Sequence, residues 1–171
     1  LRFVRAVTDG QYRYIRNFNP HRHRGILAGY PHSQSGWRSF YALQQAGKTD
    51  ATQSSFWKVP QPVEELYDTQ NDPWEVTNLA GDPAYAARLE TMRPATFETM
   101  KNIRDTGLVP EAMYNKISSE GTVYDYVHSP KFPYEKVLEL AVTACNGDLQ
   151  ALPELKEVMK SKHPVMRYWG A

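Results

Sequence analysis

At 171 residues, 41% of them hydrophobic, the chain can hold one ordinary domain with a real core, or one domain and an appendage. A formal net charge of +1 gives no general reason to expect nucleic acid or an anionic membrane as partner. The lone cysteine, Cys145, excludes an internal disulfide framework and a multi-cysteine metal site, and no apolar run approaches the roughly 20 residues of a membrane span.

Basic residues are unevenly spread. Residues 1–24 carry Arg2, Arg5, Arg13, Arg16, Arg22 and Arg24 against Asp9 as the only acid. In the same stretch Arg2 to Val7 and Tyr12 to Phe18 are β-rich runs, and the Asp9-Gly10 pair between them predicts a hairpin. Asn19 to Ser35 then reads as a long polar loop, a length that in a compact domain usually marks function or disorder. Trp37 to Ala46 predicts a helix closed by Gly47, and Asp50 caps a short helix to Trp57.

Next comes Glu64 to Ala80, E-E-L-Y-D-T-Q-N-D-P-W-E-V-T-N-L-A. Glu65-Leu66-Tyr67 alternates as a half-buried strand does. Asp68 is placed to accept backbone amides in an Asx-type turn. Asp72 and Pro73 predict the cap and first position of a helical turn, with Glu75 near its positive end. Asp82-Pro83 repeats the signal and opens a helix over 83–105, with apolar residues at Tyr85, Leu89, Met92, Met100 and Ile103 and with Gly107 as its stop. Pro94 inside it predicts a kink. Residues 111–131 look irregular. Tyr134 to Asn146, Leu149 to Ser161 and a third stretch from His163-Pro164 read as helices joined by short turns, which suggests a HEAT-like repeat array. The fold class expected is α+β: a small antiparallel sheet of 2–7, 12–18 and 64–68 against the long helix, then a helical extension.

The 64–80 segment closely resembles the E-L-Y-D-x-x-x-D-P-x-E-x-x-N-L-A stretch near the carboxyl end of sulfatases, in the alkaline-phosphatase-like superfamily. From Arg2 to about Glu111 the chain is similar to the C-terminal subdomain of that family. The Arg13-Tyr14-Ile15-Arg16-Asn17-Phe18 strand resembles the heparan N-sulfatase (sulfamidase) branch. Val165 to Ala171 resembles the end of a helical extension carried by bacterial members. The resemblance implies a division into a sulfatase C-terminal subdomain at 1–110, an irregular linker at 111–133 and a truncated helical extension at 134–171. It implies hydrolysis of sulfate esters or sulfamates by a formylglycine and a calcium ion, both belonging to a missing N-terminal catalytic domain that would be this chain's partner. Neither the C-x-P/A-S-R precursor motif nor a calcium ligand set is present here, and Cys145 sits on the apolar face of a helix. No catalytic residue and no metal ligand is therefore expected in this piece.

Leu1 stands where an initiator methionine would, and no secretory signal pattern is present, so the chain reads as an excised piece. Its compartment is open from sequence; the resemblance suggests a periplasmic or extracellular parent enzyme. The side chains suited to a sulfated glycan are Arg22, His23, Arg24, His32 and Trp37. Arginine grips anionic groups bidentately, and an aromatic face covers a sugar ring. A solvated basic loop with Trp37 packed under the next helix is the structural alternative. Two other functions stay open: a phosphodiesterase or phosphonate hydrolase of the same superfamily, and a non-enzymatic binding module. Neither nucleic acid nor membrane is expected as a partner.

Overall fold

The computed structural model describes residues 3–25 and 29–171. It divides into two compact units: one holds the residues up to Phe18 together with Val63–Ala171, the other Asn19–Pro62.

The first unit is built on a three-stranded antiparallel sheet in the order β1-β2-β3, with β1 Val4–Thr8, β2 Tyr12–Asn17 and β3 Glu64–Asp68. Arg2, expected at the start of the first strand, lies outside the described residues. The hairpin forms where Asp-Gly predicts it. Asp9 Oδ1 accepts from the Gln11 and Tyr12 amides at 3.0 and 2.7 Å, and Gly10 takes φ +99°. Tyr14 pairs with Leu66 and Arg16 with Glu64. One sheet face therefore presents Tyr14 and Leu66 to Leu89 and Met92 of α4, Ala86–Asn102.

β3 departs from the half-buried strand that alternation predicts. Glu65, Leu66, Tyr67 and Asp68 are all buried, and Glu65, 1% exposed, accepts a hydrogen bond from the Tyr67 hydroxyl. A charged residue reads as outward-facing from pattern alone; here a local partner helps it stay inside.

The expected helical turn at 73–76 is also absent. Asp72 does cap, but it wraps the chain into a turn. Its carbonyl accepts the Glu75 amide at 3.0 Å and its Oδ2 accepts the Val76 and Thr77 amides at 2.8 Å each. Glu75 is left at φ +55°, and its carboxylate meets Arg13 Nη1 at 2.6 Å instead of a helix end. Asp82 caps as expected, accepting the Ala84 amide at 2.9 Å, but the first turn is 3-10 before α4 begins. α4 runs on through Pro94 as one helix. It stops at Asn102 rather than at Gly107, because Arg104 takes the left-handed position at φ +45°. Gly107 serves packing: a Cβ there would fall 2.3 Å from Arg5 Nη2 and 2.5 Å from the Phe3 ring. That close approach accompanies the two-pronged pairing of Arg5 with Asp105, in which Nη2 lies 2.7 Å from Oδ1.

Residues 111–131, expected to be irregular, hold α5 Tyr114–Ser118 and α6 Val123–His128, the latter opened by a Thr122–Asp125 capping box. α7 covers Tyr134–Asn146 and ends at Gly147, φ +68°, as the sequence predicts. A 3-10 turn at Leu149–Ala151 leads into α8, Leu152–Val158, and α9 spans Pro164–Gly170. Gly170 lets α9 close on α8: a Cβ would lie 2.9 Å from the Leu155 carbonyl oxygen. The larger core joins Phe18 of the strand end to Met100, Leu108, Val137, Val165 and Trp169, so the tail helices share it with the sheet.

One carboxylate ties these layers. Glu64 receives Arg93 Nε at 2.5 Å and Nη2 at 2.8 Å, and the Tyr14 hydroxyl at 2.6 Å. Arg16 Nη1 lies 3.7 Å away. Burial alone would raise this carboxyl, but the hydrogen bonds from Arg93 and Tyr14 and the charges of Arg93 and Arg16 outweigh it and hold it below the ordinary range. Arg16, 3% exposed, reaches on to the Val142 carbonyl at 3.2 Å and Asn146 Oδ1 at 2.7 Å of α7. Glu64→Ala removes the only acid in this group and leaves Arg16 buried without a counter-charge. We expect it to lower the unfolding free energy by about 3 kcal/mol in a urea titration.

His163 carries a pH dependence. It is half-buried, with Nε2 3.2 Å from the Tyr126 hydroxyl, and burial, then the nearby Arg167 charge, holds its pKa below 6.5. The folded state therefore binds this proton less readily than the unfolded chain. Above about pH 6.5 the group costs nothing; as pH falls below that value, protonation favours unfolding. The wild-type urea midpoint should drop between pH 7.5 and 5.5 by more than that of His163→Gln, and parallel curves would exclude the effect.

Candidate functional site

The basic loop belongs to the second unit, Asn19–Pro62. What the sequence presents as an open loop from 19 to 35 contains α1, Gly29–Ser33, directly before α2, Ser35–Gln45; α3 is Ala51–Ser55. The Asp50 cap is a full capping box, with Asp50 and Gln53 each taking the other's backbone amide. Gly47, φ +65°, follows α2 where expected.

The five residues expected to bind a ligand fall into three situations. Arg22 is exposed, and its guanidinium has no hydrogen-bond or ion-pair partner among the described residues. Arg24 is half-buried, and its Nε donates to Gln61 Oε1 at 3.0 Å. Gln61 is itself buried and fixed by the Ser55 carbonyl at 3.1 Å and the Lys58 carbonyl at 2.5 Å, and its amide donates to the Pro20 carbonyl at 2.7 Å. His23, His32 and Trp37 join a ring cluster. His23 stands 5.4 Å from Trp57, His32 meets Tyr41 edge-on at 5.4 Å, and Trp37 touches Phe40, Phe56 and Trp57 at 5.6–6.0 Å between centroids.

Trp57 is the hub of that cluster and was missed by sequence reasoning, along with Tyr41 and Gln61. It contacts His23, Trp37, Phe40, Tyr41 and Phe56. The signal was present in the i, i+3, i+4 spacing of Trp37, Phe40 and Tyr41 on one helix face, opposite a Phe56-Trp57 pair. Gly25 is shaped to it: an added Cβ would lie 2.0 Å from the Trp57 ring. Four ring nitrogens in this unit are buried without a partner among the described residues: His23 Nδ1, His32 Nδ1, Trp37 Nε1 and Trp57 Nε1. The rings are half-buried rather than enclosed, so an aromatic assembly with unspent donors and acceptors lies in the same unit as the free Arg22 cation.

The acidic residues of the 64–80 segment are engaged locally. Asp68 accepts the Asn71 side-chain amide at 2.8 Å, Gln11 Nε2 at 3.0 Å, and the Gln70 and Asn71 amides at 3.2 Å, and these bonds, the Asn71 side chain foremost, hold its carboxyl below the ordinary value. Asp72 is spent on its own turn. No three His, Cys, Asp or Glu side chains come together as a metal-holding group among the described residues. Cys145 donates its thiol to the Phe18 carbonyl at 2.9 Å, and burial pushes its pKa up to about 12. A thiol so buried and so far from ionisation does not fit a nucleophile. Among the described residues no helix is long and apolar enough to cross a membrane.

Comparison with known proteins gives two relatives and no matching family model. Both relatives are described as ulvan-active sulfatases of Formosa agariphila. One is 29% identical over 129 residues, 75% of this chain and 22% of the relative. The other is 35% identical over 98 residues, 57% of this chain and 17% of the relative. The chain thus spans about a fifth of the length of the curated relatives it matches, and the similarity supports a sulfatase origin.

If Gly25 is glycine because of Trp57, Gly25→Ala must displace that ring. Overpacking of this kind costs about 1–3 kcal/mol. We expect the near-ultraviolet circular dichroism of the tryptophans to fall while the far-ultraviolet spectrum is kept; an unchanged near-ultraviolet band would exclude the contact.

Proposed function

We propose that this chain is the C-terminal part of a sulfatase that hydrolyses sulfate esters or sulfamates of a sulfated glycan, and that it completes the substrate pocket of a catalytic domain lying outside it. The observation that carries the reading is the similarity to ulvan-active sulfatases over three quarters of the chain. The formylglycine and the calcium ion belong, in this reading, to the catalytic domain, since no described residue here suits either. That domain is the chain's first partner and the glycan its second. A periplasmic or extracellular setting suits a polymeric substrate.

Two finer assignments belong to the same proposal. The Arg13–Phe18 strand supports the heparan N-sulfatase-like branch. The packing of α9 against both α7 and α8 supports a HEAT-like tail over 134–171.

The residues that meet the sugar are Arg22, Arg24, His23, His32 and Trp37. Arg22 supplies an uncommitted guanidinium for a sulfate group. Arg24, whose Nε is held by Gln61, is a second basic residue of the same stretch. The ring cluster fixes the imidazoles and Trp37 beside them. None of these groups reacts; each binds substrate and transition state alike, so its loss appears in KM.

Sulfate release from ulvan by the protein containing both this chain and its catalytic domain, followed by ion chromatography, tests the reading. Activity on the polysaccharide is expected, with none from the 171-residue chain alone. The Arg22→Ala/Arg24→Ala pair should raise KM for the polysaccharide by about tenfold or more, the worth of one charged hydrogen bond, and leave a small aryl sulfate unaffected. No release of sulfate from any sulfated glycan would overturn it.

A further inference from the structure

The tail contains a cleft of about 350 Å³ between the 113–131 segment and the start of α9. Nothing in the reading above uses it. Its volume is at the small end for a ligand site, the size of one or two sugar rings rather than a polymer. Met113, Ile117, Tyr126 and Pro164 give it apolar walls. Tyr126 is held in place, edge-on to Phe132 at 5.4 Å with its hydroxyl 3.2 Å from His163 Nε2, so it offers a fixed ring face.

The polar groups of the cleft divide by what they are already doing. Asp125 is tied by Thr122, whose hydroxyl donates to Oδ2 at 2.6 Å and whose backbone amide donates at 3.2 Å. That bonding, the hydroxyl first, holds the Asp125 carboxyl below its ordinary value. The Ser129 hydroxyl donates to the Tyr126 carbonyl at 2.7 Å. Lys116, Lys131 and Glu120 also line the cleft, and none has an ion pair or a side-chain hydrogen bond among the described residues. The uncommitted set is therefore two ammonium groups and one carboxylate beside an apolar wall with a fixed aromatic ring.

We infer that this cleft is a second binding site, for an anionic sugar unit. A sulfate or carboxylate answers Lys116 and Lys131, a hydroxyl donates to Glu120, and the C–H face of the ring lies on Tyr126 and Pro164. A neutral sugar leaves both lysines unanswered. A fatty acid leaves Glu120 without a donor. The site is non-catalytic, and its lining residues all belong to the first unit.

The test uses the 171-residue chain and needs no turnover. Glucose 6-sulfate, with glucose as the neutral control, is titrated while backbone amide resonances are followed. Saturable shifts at 113–131 and 163–165, separate from any at Arg22 and its neighbours, are expected for the sulfated sugar, weakening as salt is raised, with none there for glucose. Lys116→Ala/Lys131→Ala should weaken binding by roughly tenfold, the product of two exposed charge contacts, and Lys116→Arg/Lys131→Arg should restore it. Absence of saturable shifts, shifts at 19–62 instead, equal binding of glucose, or indifference to the double alanine variant would each overturn the site. Its failure leaves the sulfatase reading standing, because sulfate release is measured separately.

Discussion

The Glu64 carboxylate is the interaction on which the first unit depends. It sits on β3, yet its partners come from β2 and α4, and one of them, Arg16, continues to α7. Sheet, long helix and tail are thus joined through one acid and two guanidinium groups. Hydrophobic contact alone is non-directional and would leave helix positions loosely specified; a forked pairing of Arg93 with a carboxylate has one good geometry. The price is the burial of Arg16, whose Nε has no partner among the described residues.

The 19–62 unit rests on different physics. None of its described hydrophobic side chains belongs to the fully buried set; its organisation comes from rings tilted around Trp57 and from the Gln61 side-chain amide, which donates to two backbone carbonyls at once. Quadrupole contacts of this kind orient side chains without sealing them from solvent. Such a unit holds its rings in fixed directions while its unpartnered ring nitrogens stay out of solvent.

The parts of the fold that were legible in the sequence are those decided locally. The Asp9-Gly10 hairpin, the Asp50 and Asp82 caps, and α7 with its terminal Gly147 follow from turn chemistry and 3.6-residue periodicity. Illegible were features that alternation and capping signals do not encode, whether the partner is near or far in sequence. Glu65 reads as solvated until Tyr67 bonds it. Gly107 reads as a helix stop until Phe3 and Arg5 claim the space. Glu75 reads as a helix residue until Asp72 gathers the amides around itself. In the candidate site, the run of arginines and histidines was readable, but the ring hub at Trp57 was not, because its neighbours come from three separate stretches of chain.

β2 and β3 are adjacent antiparallel partners, and the whole 19–62 unit is the excursion between them. Its exits are tied on both sides: the Asn17 amide bonds the Val63 carbonyl at 2.9 Å, and the Gln61 amide bonds the Pro20 carbonyl at 2.7 Å. The excursion leaves and rejoins the sheet at neighbouring ends of adjacent strands. The entropy of closing a longer or shorter excursion there changes only with the logarithm of its length. Descendants of this chain can lengthen, shorten or rewrite that segment while the sheet and its Glu64 linkage persist, so the excursion is free to diverge faster than the frame that carries it.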